Sequence, residues 1–224
     1  MAEFDNPRDA WDARYRCDEY IFGTRPNVFL TSQEKYFQAG TRVLAVADGE
    51  GRNGVWLAAR GCNVHSTDIS PVAIEKAKKL ALDRNVSIEF SVADLMQWEW
   101  SKAAFDVVIC IFIQFASPAM RKKLFDGFWR TLRPGGVVVM EGYGVKQLQY
   151  KSGGPGKLEN LYTPEMLRDA FTGGEVLLLR ECEAVLDEGQ KHRGRAARIG
   201  RCEQTTGEAV RERKRRSRGR RALC

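Results

Sequence analysis

Apolar runs that are short enough to be buried strands alternate with helical patterns along most of the chain. These runs lie at residues 43–46, 105–112 and 137–140, and two further strand-like segments, which are not continuously apolar, lie at 62–68 and 87–92. Helix signals fall between them, and the clearest is Ser70-Pro71, with Ser as N-cap and Pro at the first helical position. This alternation predicts an α/β fold with a Rossmann-like, doubly wound and mostly parallel sheet.

The end of the pattern predicts an antiparallel element. Residues 175–185 and 195–199 are strand-like, and a polar loop at residues 187–194 joins them. Two strands connected in this way form a hairpin, so the last strand should run antiparallel to its neighbour. If the first strand of the hairpin is parallel to the others, the loop opens where ligands bind in open α/β sheets.

A glycine-rich turn, Ala47-Asp48-Gly49-Glu50-Gly51, connects the first strand to the helix that follows it. Gly49 and Gly51 have no Cβ, so they tolerate a positive φ and let a ligand touch the backbone. Free N–H groups at the start of the helix suit a polar ligand. The same spacing also fits the dinucleotide fingerprint and a turn that binds nothing, so the turn alone does not choose a cofactor.

Residues 42–59, followed by GCNVHSTDIS, resemble the seven-stranded (class I) S-adenosylmethionine-dependent methyltransferases. The GRN after the turn is similar to the small methyltransferases related to the tellurite-resistance and thiopurine enzymes, and the resemblance covers about residues 10–200. Leu132-x-Pro-Gly-Gly before an apolar strand is characteristic of this class and is not expected in dehydrogenases. The resemblance implies a seven-stranded sheet with an antiparallel last strand, and methyl transfer from S-adenosyl-L-methionine. An NAD-linked oxidoreductase stays as an alternative, from the glycine spacing alone.

The resemblance also implies a set of cofactor-binding residues at the carboxyl ends of the strands. They are Ala47, Asp48, Gly49, Gly51, Arg52, Asn53, Asp68, Ile69, Asp94, Leu95 and Ile111. We expect Asp68 to accept hydrogen bonds from the ribose hydroxyls and Asp94 to accept from the adenine amino group. The alternative for Asp94 is a carboxylate that caps its own turn.

Two residues depart from the family pattern. Ala45 stands where the family usually has an acidic residue, and Ala47 stands where it has its first glycine. Asp48 and Glu50 are expected to compensate, because carboxylates suit a cofactor with a cationic sulfonium and a cationic amino group.

Residues 113–116 follow the fourth strand and are expected to face the transferred methyl group. They lack the Asn/Asp-Pro-Pro-aromatic string used on amino groups and the Pro-Cys pair of cytosine-C5 enzymes, which favours a small, soft nucleophilic acceptor. Tyr150, His192 and Arg193 are the catalytic candidates, because they lie in loops expected at the same edge. His suits proton acceptance near neutral pH, and an exposed loop histidine is the alternative. No metal site is predicted.

Residues 7–30 precede the first strand and carry Trp11, Tyr15, Tyr20 and Phe22. Their spacing fits an amphipathic helix packed on the edge of the sheet. The segment is also similar to the lid that covers the cofactor in the family named above. Both interpretations stay open from the sequence.

Charge is concentrated at one end of the chain. The 224 residues carry a net charge of +7; residues 201–224 supply nine basic and three acidic side chains, which leaves +1 for residues 1–200. This division predicts a methyltransferase domain over residues 1–200, with residues 1–40 as its N-terminal lid segment, and a basic, disordered tail over residues 201–224. The tail string RERKRRSRGRR suggests the alternative function, a nucleic-acid-binding protein with a degenerate, non-catalytic methyltransferase domain. We favour a small-molecule substrate over nucleic acid.

The sequence also bounds the cellular setting. The longest clean apolar run, residues 107–113, is too short to cross a bilayer, and the charged N-terminus is unlike a signal peptide. The six cysteines form no CxxC pair or metal knuckle. We therefore expect a monomeric protein of the reducing cytoplasm, with no membrane partner.

Overall fold

A computed structural model describes residues 6–150, 152–189 and 193–206. The strands are β1 (Arg42–Val46), β2 (Asn63–Asp68), β3 (Glu89–Val92), β4 (Phe105–Ile111), β5 (Leu132–Tyr143), β6 (Gly174–Asp187) and β7 (Arg193–Thr205). The helices are α1 (Pro7–Tyr15), α2 (Val28–Ser32), α3 (Arg52–Ala59), α4 (Pro71–Asp83), α5 (Pro118–Thr131) and α6 (Pro164–Ala170). Short 3₁₀ helices lie at Glu34–Tyr36, Val145–Gln149 and Leu158–Asn160.

The seven strands form one sheet in the order β3-β2-β1-β4-β5-β7-β6. β1 pairs in parallel with β2 and β4, and β3 and β5 extend the parallel part on either side. β7 lies antiparallel between β5 and β6. The predicted fold class, a mostly parallel doubly wound sheet with an antiparallel last strand, is confirmed. Since the chain runs from β1 to β2 and later returns to β4 on the other side of β1, a crevice opens at the carboxyl ends.

Four helices begin in the same way, with a capping side chain and a proline in the first turn. The N-cap residues are Asn6, Ser70, Ser117 and Thr163. Ser70 accepts a hydrogen bond from the backbone N–H of Ala73, as Ser70-Pro71 predicted. Because a cap fixes where a helix starts, it also fixes the length of the loop that enters that helix.

Apolar side chains cover both faces of the central strands. Neighbouring residues of β4 point to opposite sides, so Val108 packs with Phe128 of α5 and Ile109 packs with Leu57 of α3. This two-sided burial explains why β4 has a continuous apolar run instead of an alternating one. Within the described residues, no helix is long and apolar enough to cross a membrane.

The structure corrects two predicted boundaries. β5 already begins at Leu132, and its register against β4 shifts between Phe105 and Val107, where the Pro-Gly-Gly turn is absorbed into the strand. β7 continues to Thr205, so the domain boundary predicted at residue 200 falls inside the sheet. The reason is that β7 has a hydrogen-bonding partner on each side, and the Thr205 hydroxyl donates to the carbonyl of Arg133 at 2.7 Å. The rest of the predicted tail, residues 207–224, lies outside the described residues.

Truncation should locate the end of the folded unit. A chain that ends at Thr206 should keep its melting temperature within about 2 °C of the full chain, because residues 207–224 contribute charge and little apolar surface. A chain that ends at Ile199 loses ladder hydrogen bonds to both β5 and β6 and should not fold. Thermal unfolding followed by circular dichroism measures both. A stable chain ending at Ile199 would contradict the central place of β7.

Candidate active site

One cleft of about 1680 Å³ opens at the carboxyl ends of β1 to β4. Its walls come from the turns after these strands, from α1 and from the glycine-rich loop at residues 153–157. A site for one drug-sized ligand typically measures roughly 300–1,000 Å³, so this cleft has room for two ligands. All of the residues implied for cofactor binding line the cleft, except Gly51, which faces α4.

The turn after β1 places three residues in the left-handed region. Ala47, Gly49 and Gly51 have φ angles of 49°, 59° and 84°. A Cβ on Gly49 would lie 2.8 Å from the hydroxyl oxygen of Tyr15, and a Cβ on Gly51 would lie 2.7 Å from Cβ of Ala77. Both positions therefore require glycine. Ala47 adopts the conformation of the family's first glycine, at a cost of about 1–2 kcal/mol.

The two carboxylates of this turn have protein partners. Asp48 Oδ2 accepts from the backbone N–H of Gly54 at 3.0 Å and from Ser66 Oγ at 3.2 Å. Glu50 is 3% exposed, and its Oε1 lies 2.5 Å from Lys76 Nζ. Lys76 thus neutralises Glu50, and Asp48 holds the turn onto α3. These contacts give no support to the expectation that the two carboxylates balance the cofactor's positive charge.

Two further carboxylates line the cleft. Each oxygen of Asp68 accepts one backbone N–H, from Gly49 and from Ser70, both at 2.9 Å. Since a carboxylate oxygen can accept two hydrogen bonds, Asp68 keeps capacity for a ligand. Asp94 Oδ1 accepts from the backbone N–H of Met96 at 2.8 Å. Asp94 therefore caps its own turn, which is the alternative that the sequence left open, while it also faces the cleft.

Residues 113–115 line the same cleft, as expected for the segment after β4, whereas Ala116 is buried and does not line it. Phe112 has a φ of 57°, and its ring centroid lies 4.6 Å from that of Tyr143. Gln114 is 4% exposed; its Oε1 accepts from Tyr143 N at 2.5 Å, and its Nε2 donates to the carbonyls of Tyr143 and Asn160 at 2.8 and 3.1 Å. Phe112 is thus a non-glycine residue with a positive φ, and it lies near a buried Gln114 side chain whose oxygen and nitrogen both form hydrogen bonds. Such backbone strain is typical of a functional site.

The N-terminal segment packs on α4 and borders the cleft, while its role as a lid stays a prediction. The rings of Trp11 and Tyr15 in α1 stack with centroids 5.7 Å apart, and both residues line the cleft. Tyr15 also packs against Ala73 of α4. Lys76 of α4 donates to the carbonyl of Cys17 at 2.9 Å. The segment is therefore a helix packed on the domain and at the same time a wall of the cleft.

Two of the three catalytic candidates, Tyr150 and Arg193, do not line the cleft. Tyr150 follows a short 3₁₀ helix that carries it to β6, where its hydroxyl donates to Glu183 Oε2 at 2.7 Å. Arg193 begins β7, and its Nε lies 3.9 Å from the carboxylate of Asp187, with both side chains exposed. Contrary to the prediction, Tyr150 and Arg193 thus lie outside the cleft lining. His192 lies outside the described residues, so its role stays a prediction.

A buried polar cluster beside the cleft escaped the sequence analysis. Asn27 Nδ2 donates to Glu141 Oε2 at 2.7 Å and to Glu188 Oε1 at 3.2 Å. Arg52 Nη2 donates to Glu188 Oε2 at 2.8 Å, and Arg198 Nη1 donates to Glu141 Oε1 at 3.0 Å. No local sequence pattern predicts the cluster, because its members come from five separate segments of the chain.

Burial also changes the protonation of carboxyl groups at this edge. It raises the pKa of Asp48 and of Asp68 to about 6, despite the hydrogen bonds that each accepts. It raises the pKa of Glu141 to about 7, although the charge of Arg198 lowers it. These groups therefore hold protons at pH values where the unfolded chain has released them.

Consequently, the free energy of unfolding of the ligand-free protein should fall as the pH rises from about 4 to about 7. In this window the folded state binds more protons than the unfolded state, so ionisation of the buried groups costs stability. One pKa unit corresponds to about 1.4 kcal/mol, so Asp68→Asn should reduce the total loss of unfolding free energy between about pH 4 and about pH 7 by up to about 3 kcal/mol. Urea titrations at a series of pH values measure this loss. Glu75→Gln, on the exposed face of α4, is the control. An unaltered slope in Asp68→Asn would refute the raised pKa of Asp68.

Comparison with known proteins agrees with the position of the cleft. Residues 43–136 match a family model described as a methyltransferase domain. The chain is similar to the carboxy-S-adenosyl-L-methionine synthase of Photorhabdus laumondii, with 28% identity over 122 residues, 54% of this chain and 47% of that protein. The same enzyme of Yersinia pestis (strain Pestoides F) is 26% identical over 54% of this chain and 44% of its own length. The chain spans about half the length of the curated relatives it matches.

Solved structures share the fold over most of the chain. A structure described for the conversion of a disulfide bond into a thioacetal group during echinomycin biosynthesis has a TM-score of 0.71 at 21% identity, over 96% of this chain and 99% of that one. The N-methyltransferase NodS of Bradyrhizobium japonicum, in complex with S-adenosyl-L-homocysteine, has a TM-score of 0.68 at 15% identity, over 90% and 99%. TehB of Haemophilus influenzae has a TM-score of 0.65 at 14% identity, over 89% and 67%. Residues 43–136 thus match a methyltransferase domain, and the described chain has the seven-stranded fold that these methyltransferase structures share.

Proposed function

We propose that this chain transfers a methyl group from S-adenosyl-L-methionine to a small, soft nucleophile. One observation carries the proposal: the glycine turn after β1, Asp68 after β2, Asp94 after β3 and the segment after β4 all line one cleft. Methyl transfer needs cofactor and acceptor side by side, and a cleft of about 1680 Å³ accommodates both.

The residues present fit the cofactor. A Cβ would fill the space above Gly49, and Asp68 keeps hydrogen-bonding capacity for two ribose hydroxyls. Nη1 of Arg52 has no hydrogen-bond partner in the described part of the chain, and this guanidinium would hold the cofactor's carboxylate. Asp94 would accept from the adenine amino group, and Asn53 would add a polar contact beside the turn. The apolar walls would come from Ile69, Leu95 and Ile111.

When bound, the cofactor supplies a methyl group that its sulfonium activates for in-line displacement. The protein has to hold the acceptor in line and exclude water. The neighbouring rings of Phe112 and Tyr143, tilted by 35°, form a wall at the ends of β4 and β5, and Gln114 fixes that wall through the Tyr143 backbone. Tyr15, which is 4% exposed, covers the glycine turn from the side of α1.

Among the described residues after β4 that line the cleft, Glu159 is the one carboxylate and there is no histidine. Burial raises the pKa of Tyr15 well above its usual value and also raises that of Tyr143, so both hydroxyls stay protonated at neutral pH. His65 lines the cleft but lies on β2, two strands from β4, where Ser91 Oγ lies 2.8 Å from its Nε2. The acceptor must therefore arrive ionised or carry a free lone pair.

Similar proteins support sulfur or nitrogen as the acceptor atom. One similar structure concerns the conversion of a disulfide bond into a thioacetal group, and NodS is an N-methyltransferase. We favour a thiolate, because it is soft and ionises near neutral pH without a protein base. The alternative of a nucleic-acid-binding protein depends on residues 207–224, outside the described residues, and no contact described above favours it. The monomeric state and the cytoplasmic location stay predictions.

Cofactor choice can be tested first. S-adenosylhomocysteine at 100 times its Kd should stabilise the protein by about 2.7 kcal/mol, and NAD should not. Asp68→Ala removes the proposed ribose ligand and should weaken S-adenosylhomocysteine at least about tenfold in calorimetry. Asp106→Ala, which alters an ion pair outside the cleft lining, is the control. A melting curve that responds to NAD alone would overturn the proposal.

The lack of a protein base can be tested with two thiols of different acidity. In the pH profile of kcat/KM, the midpoint should follow the pKa of each thiol, because only the acceptor titrates. His192→Ala should lower turnover on the order of tenfold, well below the roughly 10²–10⁴ expected for an essential base. Gln114→Ala should lower kcat/KM and leave cofactor affinity unchanged, whereas Tyr150→Phe should change neither. A shared midpoint for both thiols, with a thousandfold loss in His192→Ala, would make His192 the base.

A further inference from the structure

The N-terminal lid (residues 6–27) contacts the rest of the molecule along its length, and two groups of contacts hold its middle and its end. In its middle, Lys76 of α4 donates to the carbonyls of Cys17 and Glu19 at 2.9 and 2.6 Å. At its end, the lid meets the tip of the β6–β7 hairpin (residues 186–189). The first fastening point is on a helix and the second is on a turn.

Glu188 is the centre of the second fastening. Its Oε1 accepts from Val28 N at 3.3 Å and from Asn27 Nδ2 at 3.2 Å, while its Oε2 accepts from Arg52 Nη2 at 2.8 Å. Glu188, Asn27 and Arg52 are 8%, 0% and 6% exposed. Asn27 N also donates to Asn53 Oδ1 at 3.0 Å. One buried carboxylate thus joins the end of the lid to the first turn of α3, beside the glycine turn.

Backbone packing brings the hairpin tip and the lid into direct contact. A Cβ on Gly189 would lie 2.5 Å from Gly23 N and 2.7 Å from the carbonyl oxygen of Ile21. Gly189 also has a φ of 85°, so the tip can approach the lid this closely because residue 189 is glycine. Outside this contact, Arg25 Nη2 donates to the carbonyl of Asp187 at 3.3 Å.

Hydrogen bonds from Asn27 connect Glu188 to a second buried acid, Glu141, and so couple the contacts of the lid to each other. Asn27 Nδ2 bridges Glu188 and Glu141, and these two acids are paired with Arg52 and Arg198. Removal of one partner from a buried pair leaves an uncompensated charge. Release of Asn27 would take a hydrogen bond away from each of these two buried acids, which is costly, so these contacts should form and break together.

We propose that the tip of the β6–β7 hairpin is a clasp that holds the lid over the cofactor, with Glu188 as its positioning residue. The clasp is the end that opens, because turns open locally more readily than segments anchored on a helix. Lys76 keeps the middle of the lid attached, and the freed end lets the cofactor exchange. The role in cofactor exchange rests on the proposed function, whereas the clasp itself does not.

Two variants and a matched control test the clasp. Glu188→Gln keeps the shape and removes the charge, and Gly189→Ala pushes the tip away from the lid without changing any charge. In both ligand-free variants, amides at the end of the lid, residues 20–27, should exchange hydrogen at least about tenfold faster, while those of β1 and β4 should keep their wild-type rates. Glu183→Gln is the matched control, because Glu183 lies on the same hairpin and its carboxylate pairs with Lys146 and Arg195. This variant should leave hydrogen exchange at wild-type rates in the lid and in β1 and β4. Bound S-adenosylhomocysteine should dissociate at least about tenfold faster from the first two variants.

Each outcome decides the proposal. Wild-type protection of the lid in both folded variants would overturn the clasp. Faster exchange throughout β1 and β4 would overturn it as well, since Glu188 would then stabilise the whole fold. A loosened lid with unchanged dissociation would overturn the role in cofactor exchange. If S-adenosylhomocysteine does not bind the wild type, the proposed function fails, and hydrogen exchange still decides the clasp.

Discussion

Parallel pairing of β1 with β2 and β4 is the constraint on which the site depends. Parallel strands end at one edge of a sheet, so the turns after β1, β2, β3 and β4 meet there although they are spread over residues 47–117. The buried faces of β1 and β4 carry apolar side chains. The polar groups of this part of the sheet gather at the strand ends, where one cleft holds Gly49, Asp68, Asp94 and Gln114.

The same edge of the sheet brings carboxylates together, and the protein supplies a cationic partner for three of its buried glutamates. Lys76 neutralises Glu50, Arg52 pairs with Glu188, and Arg198 pairs with Glu141. Buried acids without such a partner would be costly, and protonation lowers that cost where the pKa is raised. The positive charges of this edge are therefore used largely on the protein itself, and they also fasten the N-terminal segment.

Insertion of β7 between β5 and β6 decides what the last hairpin contributes. Because β7 is antiparallel to both neighbours, β6 runs in the direction of β5 and its end returns to the carboxyl edge. The sequence predicted that the loop with His192 and Arg193 opens at this edge, and the described start of that loop, residues 188–189, does lie there. It contributes Glu188 to the buried cluster there, and Arg193 turns outward to Asp187.

Local signals in the sequence determined the elements and the glycine turn. Helix caps, apolar runs and residues without Cβ act over a few positions, so Ser70-Pro71, the strand before Ala47 and the turn at Gly49 were predicted correctly. The resemblance to methyltransferases supplied the set of residues that line the cleft. Tertiary structure alone decided the partners of Glu50 and Glu188, the outward position of Tyr150 and the extension of β7 to Thr205. These depend on pairs of residues far apart in the chain, and the hydrogen bonds and charges that join such pairs leave no periodicity in the sequence.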